Sequence, residues 1–383
     1  MAVTLAVGGC APQAAGPQVE TIGEITFVHN PAAPLHPDRT VVFEEELTFG
    51  GGEGPEEAIL YRPRTILVDE GDNIYVSDYQ DAVIKVFDPD GKYVKTIGRK
   101  GEGPGEFQAM TDMAFLPDGR LLAFDIRQRR TSLFDRSGDF LSSHPWRNSH
   151  FDILLADDSG YVADENVYAG EDRKVLITKY DFNGVELENW GEFTALGMQV
   201  KRVGDAMLSI TTPHTPRSIF AGDSVRKRLY HCLNDEYLIE VYEAPGRLVR
   251  KIDRPYQPVP FTRKDAEDYY AGVDRRDNKE FSQLAREVDL PEVKTVTDGM
   301  GVDDLGNLWV ATNEVDERGE TPRRAYDVFN PDGHYTFRIW LGFRPGVFVR
   351  GRMYRIHSDQ ETGFLTVKRY RVLRPNTPNS PNT

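Results

Sequence analysis

Three observations in the sequence predict an all-β fold, a six-bladed β-propeller of four-stranded antiparallel blades. A unit of 46 to 49 residues recurs along the chain. Asp/Gly turns stand at fixed places within each unit. The 383 residues include 34 Gly, 24 Pro, 17 Tyr and 20 Phe, a mixture suited to many short strands joined by tight turns rather than to long helices.

The repeat is read directly from the residues. Gly52-Glu53-Gly54-Pro55 returns as Gly101-Glu102-Gly103-Pro104, and each copy follows a strand that ends in Thr-Phe-Gly or Thr-Ile-Gly. The turn Val68-Asp69-Glu70-Gly71-Asp72-Asn73 is matched by Leu116-Pro117-Asp118-Gly119 and by Val302-Asp303-Asp304-Leu305-Gly306-Asn307. Phe87-Asp88-Pro89-Asp90-Gly91 returns at Phe134, Tyr180, Tyr242 and Phe329. In each unit an apolar strand runs into an Asp/Gly turn, where Gly supplies positive φ and Asp bonds the backbone ahead of it. A second strand alternates apolar and polar residues, a third ends at the Asp-Pro-Asp-Gly type of turn, and a fourth follows as its hairpin partner. Four such strands cannot bury their own apolar faces, so the units must stack in a ring.

The repeat-bearing stretch from 40 to 373, less a non-repeating insertion at 257–296, has room for six units of this length. Its ends support closure. The last unit stops after a third strand near Leu365–Tyr370, and the first segment, around Val41 to Phe49, reads as a fourth strand with no blade before it. That segment is expected to complete the last blade. Within the insertion, Thr262 is a helix N-cap followed by early acids, and Glu280 to Val288 is a second helical stretch stopped by Pro291. The insertion reads as a cap over the ring or as a lid or partner platform. It shares a face with the connections between second and third strands at about 164–173 and 313–324, leaving the opposite face to short Asp/Gly turns. Residues 374–383 are low-complexity and read as a disordered tail, and residues 11–39 read as a linker and lead-in.

These motifs resemble the NHL-type six-bladed β-propellers, chiefly through Gly101 to Phe107 and the Asp-x-x-Gly-x-Leu and Phe-Asp-Pro-Asp-Gly turns. With the start of the chain, they also resemble exported bacterial propeller proteins. Met1 to Gly9 is small and apolar, and Val7-Gly8-Gly9-Cys10 is similar to a lipobox. The resemblance implies export to the periplasm or cell envelope with a lipid anchor on Cys10. The stretch lacks a basic start and is short for a signal segment. Cys232, in a strand-like run, reads as an inert core thiol.

Charge and motif content narrow the function. Lys plus Arg is 46 against 61 for Asp plus Glu, a formal charge of −15, which argues against nucleic acid as a partner. No apolar run reaches the length of a membrane-spanning helix, so the membrane enters only through the lipid anchor. The sequence contains no H-E-x-x-H, G-x-S-x-G or P-loop and no spaced Cys/His metal set. The Gly-rich runs read as blade connections rather than phosphate cradles.

What remains is the ring itself. Innermost strands line a channel, and their first residues face the loop-rich rim. They are Arg64, Asp112, His150 or Asp152, His214 or Arg217, and Asp298. Such a ring can bind a polar ligand, can neutralise itself around water, or can offer Asp112, Asp152 and Asp298 to calcium. Arg127, Arg129, Arg130, Arg323 and Arg324 read as solvated loop charge or as an anion-binding rim. Two functions are carried forward. The first is a monomeric, exported, lipid-anchored binding or interaction protein for a protein or a small polar ligand. The second is a calcium-dependent hydrolase or lactonase of the gluconolactonase-like propeller type, although no residue-by-residue match to that family's metal ligands is found.

Overall fold

The computed structural model describes residues 16–374, apart from 53, 147–148, 170–171, 196, 198, 204–205, 276–278, 320 and 360–361. Cys10 with its flanking motif and the tail beyond Arg374 lie outside the described residues.

Six four-stranded antiparallel blades form the ring. Blade 1 comprises Pro63–Val68, Ile74–Asp78, Val83–Phe87 and Tyr93–Ile97. Blade 2 comprises Met110–Phe115, Leu121–Asp125, Arg130–Phe134 and Phe140–Pro145. Blade 3 is built from longer strands, Ser149–Asp157, Gly160–Ala169, Asp172–Tyr180 and Glu186–Thr194. Blade 4 runs through Ser218–Asp223, Arg228–Leu233, Leu238–Glu243 and Arg247–Asp253. Blade 5 has Thr297–Val302, Leu308–Asp316, Arg323–Phe329 and Tyr335–Leu341. Blade 6 takes Val347–Val349, Arg352–Ser358 and Leu365–Leu373 from the end of the chain and its outermost strand, Val42–Phe49, from the beginning. The closure read from the sequence is therefore present, with Leu373 opposite Val42 and Val367 opposite Phe49.

The core lies between blades, as stacking requires. Ile84, Phe107, Met110, Leu121 and Phe134 fill the space between blades 1 and 2, and Trp309, Val328, Phe337, Met353 and Tyr370 fill that between 5 and 6. The Asp turns work as their composition suggests. Asp69 Oδ1 accepts from the main-chain N–H groups of Gly71 and Asn73, and Asp88, Asp135, Asp181 and Asp303 repeat the pattern two and four residues ahead. A second device went unread in the sequence. Asp78 and Asp125, each at the end of a second strand and fully buried, each accept from four main-chain N–H groups of the connections around them. Each pins the approach to its own innermost strand.

The loop-rich face departs from the plain repeat in three ways. The stretches read as long loops at 164–173 and 313–324 are largely extended hairpins, the second and third strands of blades 3 and 5 continuing past the ring. A hairpin, Gln199–Val203 with Ala206–Ile210, is inserted between blades 3 and 4. The 257–296 insertion carries helix α1 (Arg263–Asp274), capped by Thr262 with Asp265 in a reciprocal capping box, and helix α2 (Lys279–Arg286). Val273, Leu284, Ala285 and Val288 pack with Ile210, so the two insertions share one small core.

The segment read as a lead-in is also structured. Gln18–Ile22 and Ile25–His29 form a hairpin about Gly23, whose second strand runs parallel to the outer edge of blade 4. Asn30 bonds Asp253, Gly333 and Tyr335, and the N–H groups of Leu35 and His36 reach the carbonyls of Tyr335 and Thr336 in blade 5. The chain thus straps blades 4 and 5 before completing blade 6. Val28, only 1% exposed, anchors it beside Ile252. Among the described residues no helix is long and apolar enough to cross a membrane.

Candidate functional site

Four of the seven sequence-predicted residues meet at the loop-rich mouth of the channel. Arg64, Asp152, Arg217 and Asp298, from blades 1, 3, 4 and 5, line one cavity of about 440 Å³. Thr111 joins them from blade 2 and Arg344 from the connection into blade 6, so five blades and that connection contribute. The extended hairpin of blade 3 adds Asp164, Asn166 and Arg173.

The charges around this cavity are unevenly committed. Asp298 forms an ion pair with Arg324 of the third strand of its own blade. Arg173 donates to Asn166 Oδ1 at 3.1 Å. Arg64 stacks over the Tyr79 ring, 4.7 Å from its centroid. Arg344 lies against Gly299, where an added Cβ would stand 2.6 Å from the end of its guanidinium. Arg217 is held through its main-chain N–H, which donates to Asn234 Oδ1 at 2.8 Å. Among the described residues no carboxylate lies within ion-pairing distance of the Arg64, Arg217 or Arg344 side chain. Asp152 is exposed to the channel, but the surrounding protein raises its carboxyl above the usual range and Arg64 opposes that rise only in part.

The other three predicted residues stand elsewhere. Asp112 sits behind the wall. It accepts from Thr65 Oγ1 at 2.9 Å and from the Ile153 N–H at 2.8 Å, linking the innermost strands of blades 1, 2 and 3. Burial, with Asp152 nearby, pushes its carboxyl up to about 7. His150 is 3% exposed and faces the space between blades 2 and 3, edge-on to Trp146 at 4.8 Å. Burial pushes its imidazole down to about 4. His214 lies under the helical insertion, with Nδ1 3.1 Å from Thr295 Oγ1 and the ring edge-on to Phe261.

Asp112, Asp152 and Asp298 are not gathered as a metal site in this structure. Among the described residues no three His, Cys, Asp or Glu side chains gather as a metal site. Asp298 is engaged by Arg324 and Asp112 is committed to two donors, whereas calcium needs six to eight converging oxygens. The basic loop residues divide likewise. Arg130 donates to the carbonyls of Glu102, Gly103 and Glu106 and braces the Gly-rich connection. Arg323 pairs with Asp316 and Arg324 with Asp298. Cys232 is 1% exposed and its thiol is pushed up to about 12 by burial, as suits an inert core residue.

Arg344 and Arg173 were missed by sequence reasoning. Arg344 lies in the connection just ahead of the first strand of blade 6, whereas Arg64 stands within the first strand of blade 1, so a reading of strand starts passes it over. Arg173 reaches the mouth only because its hairpin is long, which composition does not reveal.

Comparison with known proteins supports the architecture. Residues 52–212 match a family model described as a 6-bladed beta-propeller. The fold is similar to that of a Bacteroides fragilis protein described as exported, at 11% identity, with a TM-score of 0.53, covering 91% of this chain and 100% of that one. Virginiamycin B lyase from Staphylococcus aureus is 8% identical, covering 87% of this chain and 99% of its own, with a TM-score of 0.44. A gluconolactonase from Xanthomonas campestris is 13% identical, covering 93% and 95%, with a TM-score of 0.41. At these identities the likeness concerns the fold alone. No curated protein matches the chain by sequence.

Proposed function

We propose that this six-bladed propeller is a binding protein whose ligand, a small molecule bearing a carboxylate or phosphate, sits at the loop-rich mouth of the channel. The observation that carries the reading is the convergence of Arg64, Arg217 and Arg344, with no carboxylate paired to them among the described residues, on one cavity of a chain whose net charge is −15. Planar guanidiniums on three sides suit bidentate recognition of an oxyanion. The local carboxylates oppose an anion less than their number suggests, because Asp298 is neutralised by Arg324. The loop-rich face, with its paired insertions, is where a propeller carries recognition.

Export and lipid attachment through Cys10 belong to this reading. A mature chain whose mass includes an acylated Cys10 would support them, and an unmodified Met1 start in the native host would oppose them. The calcium-dependent hydrolase is the weaker alternative, since its candidate ligands are not gathered around one point among the described residues.

The test is calorimetric titration with anionic ligands, such as citrate, glucuronate and inorganic phosphate, beside their neutral analogues. An Arg217→Gln, Arg344→Gln double variant is expected to lose about tenfold or more in affinity for the anion it binds, roughly 1.4 kcal/mol, and added salt should weaken the parent complex. Preference for the neutral analogue, or undiminished affinity in the double variant, would refute the assignment.

A further inference from the structure

A second cavity, of about 560 Å³, lies between the outermost strand of blade 2 and the inner strands of blade 3. It shares no lining residue with the channel mouth and is independent of the function proposed there. Its wall is aromatic. Trp146 meets His150 at 4.8 Å between ring centroids, His150 meets Tyr180 at 5.3 Å, and Tyr161 lies 5.8 Å from Tyr180. His144 stacks on Tyr161 at 6.1 Å and its Nε2 is 2.8 Å from the Tyr161 hydroxyl, which also lies 3.2 Å from Thr131 Oγ1.

One buried polar atom in this wall has no protein partner among the described residues. His150 is 3% exposed, and its Nδ1 makes no hydrogen bond. The ring also interacts with the main chain of Asp164, and each nitrogen of a neutral imidazole serves as donor or acceptor according to the tautomer. A buried polar nitrogen without a partner is uncommon in native structures and calls for an explanation. Burial keeps both imidazoles of the wall below their ordinary pKa, so at neutral pH they are uncharged. The remaining polar groups, Glu165 and Thr178 within and Glu186 and Asn189 toward the mouth, are rich in acceptors. Among the described lining residues there is no Lys or Arg, which disfavours an anion. Glu165 has an interaction of its own, so the interior does not present the bare carboxylate that an ammonium group would seek.

We propose that this inter-blade cavity is a binding site for a neutral, hydroxyl-rich ring compound of one or two sugar units. Trp146 and Tyr180 offer aromatic surface suited to the C–H face of a pyranose, Tyr161 packs behind them, and the hydroxyls of the ring supply the hydrogen-bond partner that His150 Nδ1 lacks. The volume falls within the range of about 300–1,000 Å³ typical of small-molecule sites.

The full chain should be titrated by calorimetry with glucose, N-acetylglucosamine, maltose and cellobiose, with tetramethylammonium and glucuronate as charged comparisons. Saturable heat with at least one neutral sugar is expected, weakened about tenfold in His150→Phe, which keeps an aromatic ring and removes its nitrogens. Val185→Trp, at an exposed position on the cavity wall, should weaken it similarly by filling the space without disturbing folding, and unchanged melting would verify the latter. No neutral sugar binding, binding of tetramethylammonium alone, or sugar affinity unchanged in both variants would overturn the proposal. Loss of sugar binding in Arg217→Gln with retention in both cavity variants would do so too, by placing the sugar in the channel.

Discussion

Asp112 joins three blades through two hydrogen bonds, and the same burial that makes it a good brace makes its charge costly. Its carboxyl is raised from 3.8 to about 7 in the folded protein. The native state therefore keeps a proton that the unfolded chain releases. The stability tied to that proton is fully present below pH 3.8 and is lost as pH rises toward 7. His150 acts in the opposite sense, since its imidazole is lowered from 6.5 to about 4 and its contribution is lost as pH falls through that window. Asp112→Asn, which is neutral at every pH, should show a smaller loss of unfolding free energy between about pH 5 and pH 8 than the parent chain, measured by urea denaturation. Identical slopes in the two proteins would contradict the assignment. Gly98 is constrained differently, with φ at +74° and a Cβ position 2.5 Å from the Phe107 ring. Gly98→Ala should destabilise the ring by about 1–3 kcal/mol, read as a shift in the denaturant midpoint.

At the scale of elements, the inserted hairpin and the two helices behave as one unit built on the loop-rich face. Leu284 is 1% exposed and stands in their shared core, which contains Ile210 but no blade residue. Lys294–Asp265 and Lys264–Glu317 tie helix α1 to the connection into blade 5 and to the extended hairpin of that blade. Leu284→Ala should therefore loosen this cap before the ring. The expected result is faster proteolysis within 257–296, with the main melting transition moved by only a few degrees, about what a loss confined to a satellite core would produce. Collapse of the main transition would mean that the cap is integral to the ring. Much at this scale was legible beforehand. Thr262 announced its helix through a cap and a following acid, and Pro291 its end. The hairpin at 199–210 was not legible, because its length is close to that of an ordinary connection plus one more strand of the repeat.

The whole molecule depends on a closure between its two ends. The strand Val42–Phe49 supplies the outer edge of blade 6, and the strap before it crosses blades 5 and 4. Removing residues 40–50 leaves the third strand of blade 6 as an unpaired edge and frees the strap from its anchor. Such a chain should melt about 10 °C or more below the intact one and self-associate; an unchanged melting temperature would show that the seam contributes little.

The sequence by itself determined the blade number, the turn positions and this closure, because each is written in local signals that recur at a fixed period: Asp and Gly where the backbone must turn, and alternation where a strand is covered on one face. Only the tertiary structure decided which polar residues share a site. The innermost strands of blades 1, 2, 3 and 5 each change register near their first residues, between Pro63 and Ile66, Met110 and Asp112, His150 and Ile153, and Thr297 and Gly299. A bulge breaks the two-residue period that assigns side chains to faces. His150 and Asp152, two apart and expected on one face, accordingly part: the imidazole enters the space between blades while the carboxylate enters the channel.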